Sequence, residues 1–258
     1  MSKIAEAFNN KKAFIPFVTC GDPDLDTTKN ILRELQKNGA DLIELGIPFS
    51  DPTAEGPVIQ GANIRALKNG ITTDDIFAMV EEIRSEITVP MVFMTYANVI
   101  FSYGMDRFFE KCQKIGMDGV ILPDVPFEEK SEFDKSAGTY GVDFISMVAP
   151  TSEDRIAMIA KEAKGFIYIV SSLGVTGTRT SITTNVKDLV DQIRKVTDVP
   201  CAVGFGISTP EQASNMAEIS DGAIVGSAIV RIIEQNGKDA PAKVGEFVKN
   251  MKSAYKAS

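Results

Sequence analysis

The sequence predicts a single (β/α)8 barrel, a TIM-barrel architecture, with an extra N-terminal helix and a short extra helix after the eighth strand. Three observations carry this. Eight short apolar runs alternate with eight or more amphipathic segments. Most runs are apolar throughout, as expected of parallel strands covered on both faces. The joints leading into the runs are two or three residues long, which is the grammar of βα units. An open doubly wound sheet fits less well, because no GxGxxG follows the first run. No linker or low-complexity stretch divides residues 1–258, so one domain is expected.

In order, MSKIAEAFNNKK reads as the N-terminal helix. Phe14, Ile15, Phe17 and Val18 form the first strand, closed by Gly21-Asp22-Pro23. Asp26 is a fair N-cap for TTKNILRELQKNG, in which Ile31, Leu32 and Leu35 share a face and Gly39 ends the helix. Then a phrase recurs. Gly39-Ala-Asp41 precedes LIEL, Gly116-Met-Asp118 precedes GVIL, Gly141-Val-Asp143 precedes FISM, and Ser220-Asp221-Gly222 precedes AIVG. Glycine just past a helix supplies the left-handed backbone that closes it. Further strands are expected at 90–96, 166–171 and 200–206. Helices are expected near 73–86, 105–115, 128–138, 153–163, 187–196, 210–218, 227–235 and 242–256.

Composition narrows the chemistry. Net charge is −8 and no basic run exceeds Lys11-Lys12, which disfavours nucleic acid as a partner. No apolar stretch reaches 18 residues and the N-terminus is not signal-like, so a cytoplasmic chain with no membrane span is expected. Cys20, Cys112 and Cys201 are far apart and form no metal spacing, which suits a reducing compartment. There is no histidine, so proton transfer falls to carboxylates, Tyr, Cys or Lys. No lysine lies in a predicted strand or at its end, which argues against Schiff-base chemistry. No metal site is expected in the chain, although an all-oxygen magnesium site stays open.

In such a barrel the site gathers at the C-terminal strand ends. Those ends are Thr19, Glu44, Tyr96 with Asn98, Asp124, Pro150, Ser171, Gly204 to Gly206, and Gly226. Glu44 closes an apolar run, where a charge is costly unless paired or used. The loop after it carries Asp51 and Glu55. Two readings stand together: the acids face one cavity as a general acid/base pair, or Glu44 pairs with a distant cation while Asp51 and Glu55 are solvated. Gly174, Gly177, Gly204, Gly206, Gly222 and Gly226 concentrate on the last loops, and Ser227 opens a helix. They suit either tight turns or a phosphate held by backbone N–H groups at a helix N-terminus. SSLGVTGTRTSITTN, 171–185, reads as a loop: a lid, or an ordinary surface segment. Tyr168 faces the interior, to pack or to hydrogen-bond a carboxylate. Phe17, Ile59, Tyr96, Leu122 and Phe205 line a slot for a flat ring or fill the core.

The chain resembles the tryptophan synthase α subunit family. PFVTCGDP, ELGIPFSDPTAEGPVIQ, MTYANVIF, LPDVPFEE, SSLGVTGT, VGFGIS and GAIVGSAIV fall in that family's order and span nearly the whole length. ELGIPFSDP and the GFGIS…GSAIV pair are the most specific. The resemblance implies a carbon–carbon lyase that cleaves indole-3-glycerol phosphate to indole and glyceraldehyde 3-phosphate in tryptophan biosynthesis, with no cofactor in this chain. It implies an α2β2 assembly with a β subunit that carries PLP and receives the indole, with the 49–56 loop and the segment around Asn98 on the partner face. Glu44 matches the family's acid/base, and Glu55 the group that pairs with the indole N–H. Tyr168 matches the tyrosine that supports the catalytic loop, and Thr176 the lid threonine. Gly177, Gly206, Gly226 and Ser227 match the phosphate site. Phe17, Ile59, Tyr96 and Phe205 match the indole pocket, and Asp124 a residue near its mouth. One departure stands out: Glu55 occupies the position of the family's usual Asp, and Thr53 that of an apolar residue. From the sequence, Glu55→Asp is expected to keep or raise activity. The alternative is a weakly active or inactive subunit that mainly activates its β partner.

Overall fold

The structure, a computed structural model, describes residues 3–9, 11–170, 179–204 and 206–255, with backbone only for 179–185. Its strands are β1 (Ala13–Thr19), β2 (Ile43–Gly46), β3 (Met91–Met94), β4 (Gly119–Ile121), β5 (Asp143–Phe144), β6 (Ser146–Val148), β7 (Ile167–Val170), β8 (Cys201–Gly204) and β9 (Gly222–Val225). All pairings are parallel, in the order β5-β4-β3-β2-β1-β9-β8-β7-β6. The two ends of that order, β5 and β6, are separated only by Ile145, whose N–H donates to the Val120 carbonyl at 2.9 Å. They are one interrupted strand. The chain itself therefore joins the sheet's two edges and closes an eight-stranded barrel.

The helices are α1 (Lys3–Glu6), α2 (Leu25–Lys37), α3 (Pro57–Lys68), α4 (Thr73–Ile83), α5 (Ala97–Tyr103), α6 (Met105–Ile115), α7 (Lys130–Thr139), α8 (Glu153–Lys161), α9 (Arg179–Arg194), α10 (Pro210–Ile219), α11 (Ser227–Asn236) and α12 (Ala240–Ser253). Among the described residues no helix is long and apolar enough to cross a membrane. Strand side chains alternate between two buried layers, which is why the runs read as apolar throughout. Phe14, Val18, Ile43, Leu45, Phe93 and Val120 pack outward against the helices. Ile15, Leu42, Val92, Ile121, Tyr168 and Ile224 fill the barrel's interior. Ile4 and Phe8 join that inner cluster from the N-terminal segment. They pack into the interior at the N-terminal end of the strands and fill it there.

Three of the four recurrent aspartates are structural. Asp41 Oδ2 accepts the Phe14 N–H at 2.8 Å, Asp118 Oδ2 the Met91 N–H at 2.9 Å, and Asp221 Oδ2 the Cys201 N–H at 2.7 Å. Each carboxylate satisfies an N–H at or next to the start of a neighbouring strand, and each also pairs with a cation: Lys252, Arg84 and Arg194 respectively. Such N–H groups lack a strand partner at the sheet's end and are costly to bury unpaired.

Five expectations are corrected. The N-cap of α2 is Asp24, whose side chain accepts the Thr27 N–H; Asp26 lies in the first turn instead. α3 was not expected as a helix, because its buried stripe, Ile59, Ala62, Asn63 and Ala66, is mostly small or polar and hides the helical period. α5 was not expected either: it is seven residues long with one fully buried apolar side chain, Ile100. α9 begins at Arg179, within the segment expected to be loop through 185. Its first turns are rich in Thr and Ser, which have modest helix propensity. The N-terminal helix is shorter than expected and ends at Glu6.

Candidate active site

A cavity of about 420 Å³ opens at the C-terminal ends of the strands. Glu44, Glu55, Tyr168, Phe17, Ile59, Gly206, Gly226 and Ser227 all line it. A wider hollow of about 710 Å³ lies at the opposite end, but its two cations, Lys164 and Arg194, are already paired with Asp134 and Asp221.

Glu44 stands in the middle of β2, in register with Phe17 of β1 and Val92 of β3. Its inward direction follows from strand alternation, since Ile43 and Leu45 face the helices. It is 1% exposed, and its Oε2 has no hydrogen-bond partner among the described residues. Burial, and secondarily the charge of Glu55, push its pKa up to about 8. A carboxyl in an apolar, unpartnered site holds its proton because the ion has nothing to replace its water. The distant-cation reading of Glu44 is therefore not what the structure shows.

Glu55 is the second acid in the same cavity. Its Oε2 accepts a hydrogen bond from Asn63 Nδ2 at 2.7 Å, and the Tyr96 hydroxyl also bonds its carboxylate. Burial raises its pKa while those two hydrogen bonds oppose the rise. The loop is tied down around it: Ala54 N–H donates to the Tyr96 hydroxyl at 3.2 Å, and Gln60 Nε2 donates to the Glu55 carbonyl at 2.7 Å. The ring of Phe49 packs on Tyr96, with centroids 5.2 Å apart. Asp51 is exposed, bonded to Ser50, and does not line the cavity.

Two rings enter the narrow barrel because glycines make room. A Cβ built at Gly204 falls 2.6 Å from two Tyr168 ring atoms and closer still to its hydroxyl oxygen. A Cβ at Gly46 falls 2.7 Å from the Phe17 ring. The buried Tyr168 hydroxyl is pushed well above its ordinary pKa by burial and then by the charge of Glu44, so it stays a neutral donor beside that acid.

The glycine-rich rim divides. Gly204 serves Tyr168, and Gly222 abuts the Ala13 carbonyl, where a Cβ would lie 2.7 Å from that oxygen; neither lines the cavity. Gly206 does, at φ +73°, with Ile207 and Ser208 beside it. Gly226, Ser227 and Ala228 line it at the start of α11, where the first N–H groups have no partner within the helix. Thr176, Gly177, Phe205 and the 171–178 part of the expected lid lie outside the described residues.

Two expected pocket residues act elsewhere. Tyr96 is buried behind the Glu55 loop and holds it rather than lining the cavity. Asp124 accepts the Ala97 N–H at 3.1 Å and so caps α5, because Tyr96 at the N-cap offers no side-chain acceptor there. Leu122 packs in the outer layer. Sequence reasoning missed Asn63, Met94, Ser208 and Arg231. Two of them had a signal: Ser208 ends the VGFGIS motif, and Arg231 lies four residues after Ser227 on a helix and hence on the same face. Among the described residues no group of three or more His, Cys, Asp or Glu could hold a metal ion.

Comparison with known proteins agrees across the chain. The family model described as tryptophan synthase alpha chain matches residues 4–257. A tryptophan synthase alpha chain from Lacticaseibacillus casei is 48% identical over 257 residues, covering 100% of this chain and 97% of the relative. One from Petrotoga mobilis is 47% identical, covering 100% and 98%. Among solved structures, the tryptophan synthase subunit alpha of Legionella pneumophila superposes with a TM-score of 0.89 at 38% identity, covering 98% of each chain. A chain of the tryptophan synthase complex from Pyrococcus furiosus has a TM-score of 0.85 at 35% identity, covering 94% of this chain and 99% of that one.

Proposed function

The chain belongs to the tryptophan synthase alpha chain family, and from that premise we infer how its cavity performs the family's reaction. The enzyme is a lyase that cleaves indole-3-glycerol phosphate to indole and glyceraldehyde 3-phosphate, and it works with a tryptophan synthase β subunit. The family needs no cofactor in this chain.

The residue roles we propose rest on one observation: two carboxyl groups share a cavity, one with an oxygen that no described donor reaches and the other held by hydrogen bonds. Pairs of acids driven apart in this way divide acid and base roles between them. Glu44, unpartnered and with its pKa near 8, enters the reaction protonated. It gives its proton to the indole carbon that bears the glycerol chain. Positive charge then develops at the ring N–H, and the Glu55 carboxylate, held by Asn63 and Tyr96, pairs with it. Glu44, now ionised, takes the proton from the hydroxyl on the adjacent chain carbon. The carbon–carbon bond breaks, its electron pair returns to the ring, and the chain carbon becomes the aldehyde. One proton leaves Glu44 and one returns, so the step balances.

Phe17, Ile59 and Met94 would grip the indole ring, and Tyr168 would position Glu44. The N–H groups at Gly206 and at Gly226-Ser227, with the Ser227 hydroxyl, would take the phosphate, joined by Gly177; Thr176 and Phe205 would complete the lid and the pocket. Binding energy from that remote phosphate serves to orient the reacting carbon. We further propose a cytoplasmic setting, a single domain over 1–258, and a PLP-bearing β subunit as recipient of the indole. The cavity-facing, doubly bonded Glu55 favours an active lyase over a subunit that has lost its chemistry. The test is indole release from indole-3-glycerol phosphate by the purified chain with β subunit. Glu44→Gln is expected to abolish release while the fold survives; substantial release by that variant removes Glu44 from the mechanism.

A further inference from the structure

We propose that Arg231 is a further substrate-binding residue, its guanidinium engaging the phosphate of the substrate; this rests on the reading above that the Gly206–Ser208 and Gly226–Ala228 rim takes the phosphate. Arg231 lies one helical turn beyond Ser227 on α11 and lines the same cavity. It is the sole cation among the described residues that do so. Every other arginine with a described side chain is ion-paired: Arg33 with Glu86, Arg65 with Asp22, Arg84 with Asp118, Arg107 with Asp74, Arg155 with Glu128, and Arg194 with Asp221. Arg231 pairs with no described carboxylate, although acidic residues outnumber basic ones 35 to 27. An unpaired guanidinium lining the same cavity as the two carboxyl groups, on the α11 side that also contributes Gly226 and Ser227, is placed for an anion brought by a ligand. Its planar fork matches two phosphate oxygens at once, which a lysine cannot do.

The contact is remote from the reacting carbon, so it holds ground state and transition state alike and its loss falls on KM rather than kcat. In the complex with β subunit, Arg231→Gln is expected to raise KM for indole-3-glycerol phosphate about tenfold, in keeping with loss of a charged hydrogen bond from a side chain that is exposed without ligand. Arg231→Lys is expected to recover part of that. The same variants are compared for inorganic phosphate binding by calorimetry and for turnover of the phosphate-free indole-3-glycerol. Weaker phosphate binding in Arg231→Gln, with equal efficiency on indole-3-glycerol, supports the assignment. Equal phosphate binding and equal KM in wild type and variant overturn it and leave the phosphate rim standing. A kcat loss of the same size on both substrates also overturns it, because a structural role is then sufficient. If inorganic phosphate neither binds the wild type nor competes with substrate, the rim reading itself fails and Arg231 falls with it.

Discussion

Glu44 makes the stability of this protein depend on pH in a direction opposite to most carboxylates. Its pKa is raised from 4.5 to about 8 in the folded state by burial and by the charge of Glu55. Between those values the folded chain holds a proton that the unfolded chain has released. Stability from this group is therefore fully present below about 4.5 and is lost as pH rises through about 8. Each unit corresponds to about 1.4 kcal/mol, so the whole interval amounts to a loss on the order of 3–5 kcal/mol. Glu44→Gln removes the titration while keeping the shape. The amide brings its own unpaired polar atoms, but that cost does not change with pH. Urea unfolding of wild type and variant at pH 5, 6, 7, 8 and 9 isolates the slope of Glu44 and the groups coupled to it, Glu55 and Tyr168, because groups that do not interact with Glu44 cancel in the difference. The variant is expected to gain on the wild type by roughly 1 kcal/mol per pH unit between pH 5 and 8 and to gain nothing further beyond. Curves that run parallel from pH 5 to 8 would show that Glu44 ionises normally in the fold and would remove the basis for its role as an acid.

Two other outcomes follow from the same geometry. The sequence alone suggested that Glu55→Asp keeps or raises activity, but the 2.7 Å bond to Asn63 spans the full length of the glutamate. Shortening it by a methylene withdraws the carboxylate by more than 1 Å, so kcat/KM for indole release is expected to fall on the order of tenfold to a hundredfold; undiminished activity would mean that Asn63 does not set the reach. Gly204→Ala drives a methyl into the buried Tyr168 ring. Overpacking of this kind costs about 1–3 kcal/mol, and the displaced ring is expected to lower kcat as well; a variant with unchanged Tm and unchanged kcat would show that the ring has room to yield.

The barrel was legible because its causes are local. Strands buried on both faces must be apolar throughout, and short glycine-closed joints leave a parallel layer no other connection. Glu44 was legible for a similar reason, as a charge set in an apolar run, although it lies within β2 and not at its end. The motifs around ELGIPFSDP and GFGIS carried the family, and the family carried the chemistry. What the linear chain withheld were properties of two surfaces meeting. α3 was hidden because, Ile59 apart, its buried face is Ala and Asn, buried only because of what the fold packs against it. Asn63 gains its role from Glu55 lying opposite it, and Tyr96 turned from a pocket wall into the clamp of a loop. The glycines looked alike in sequence, yet Gly204 yields its space to a ring and Gly206 borders the cavity. What sets the two acids apart was likewise undecided by residue type: both are glutamates, and only the depth of burial and the donors that reach each one in the folded barrel distinguish them.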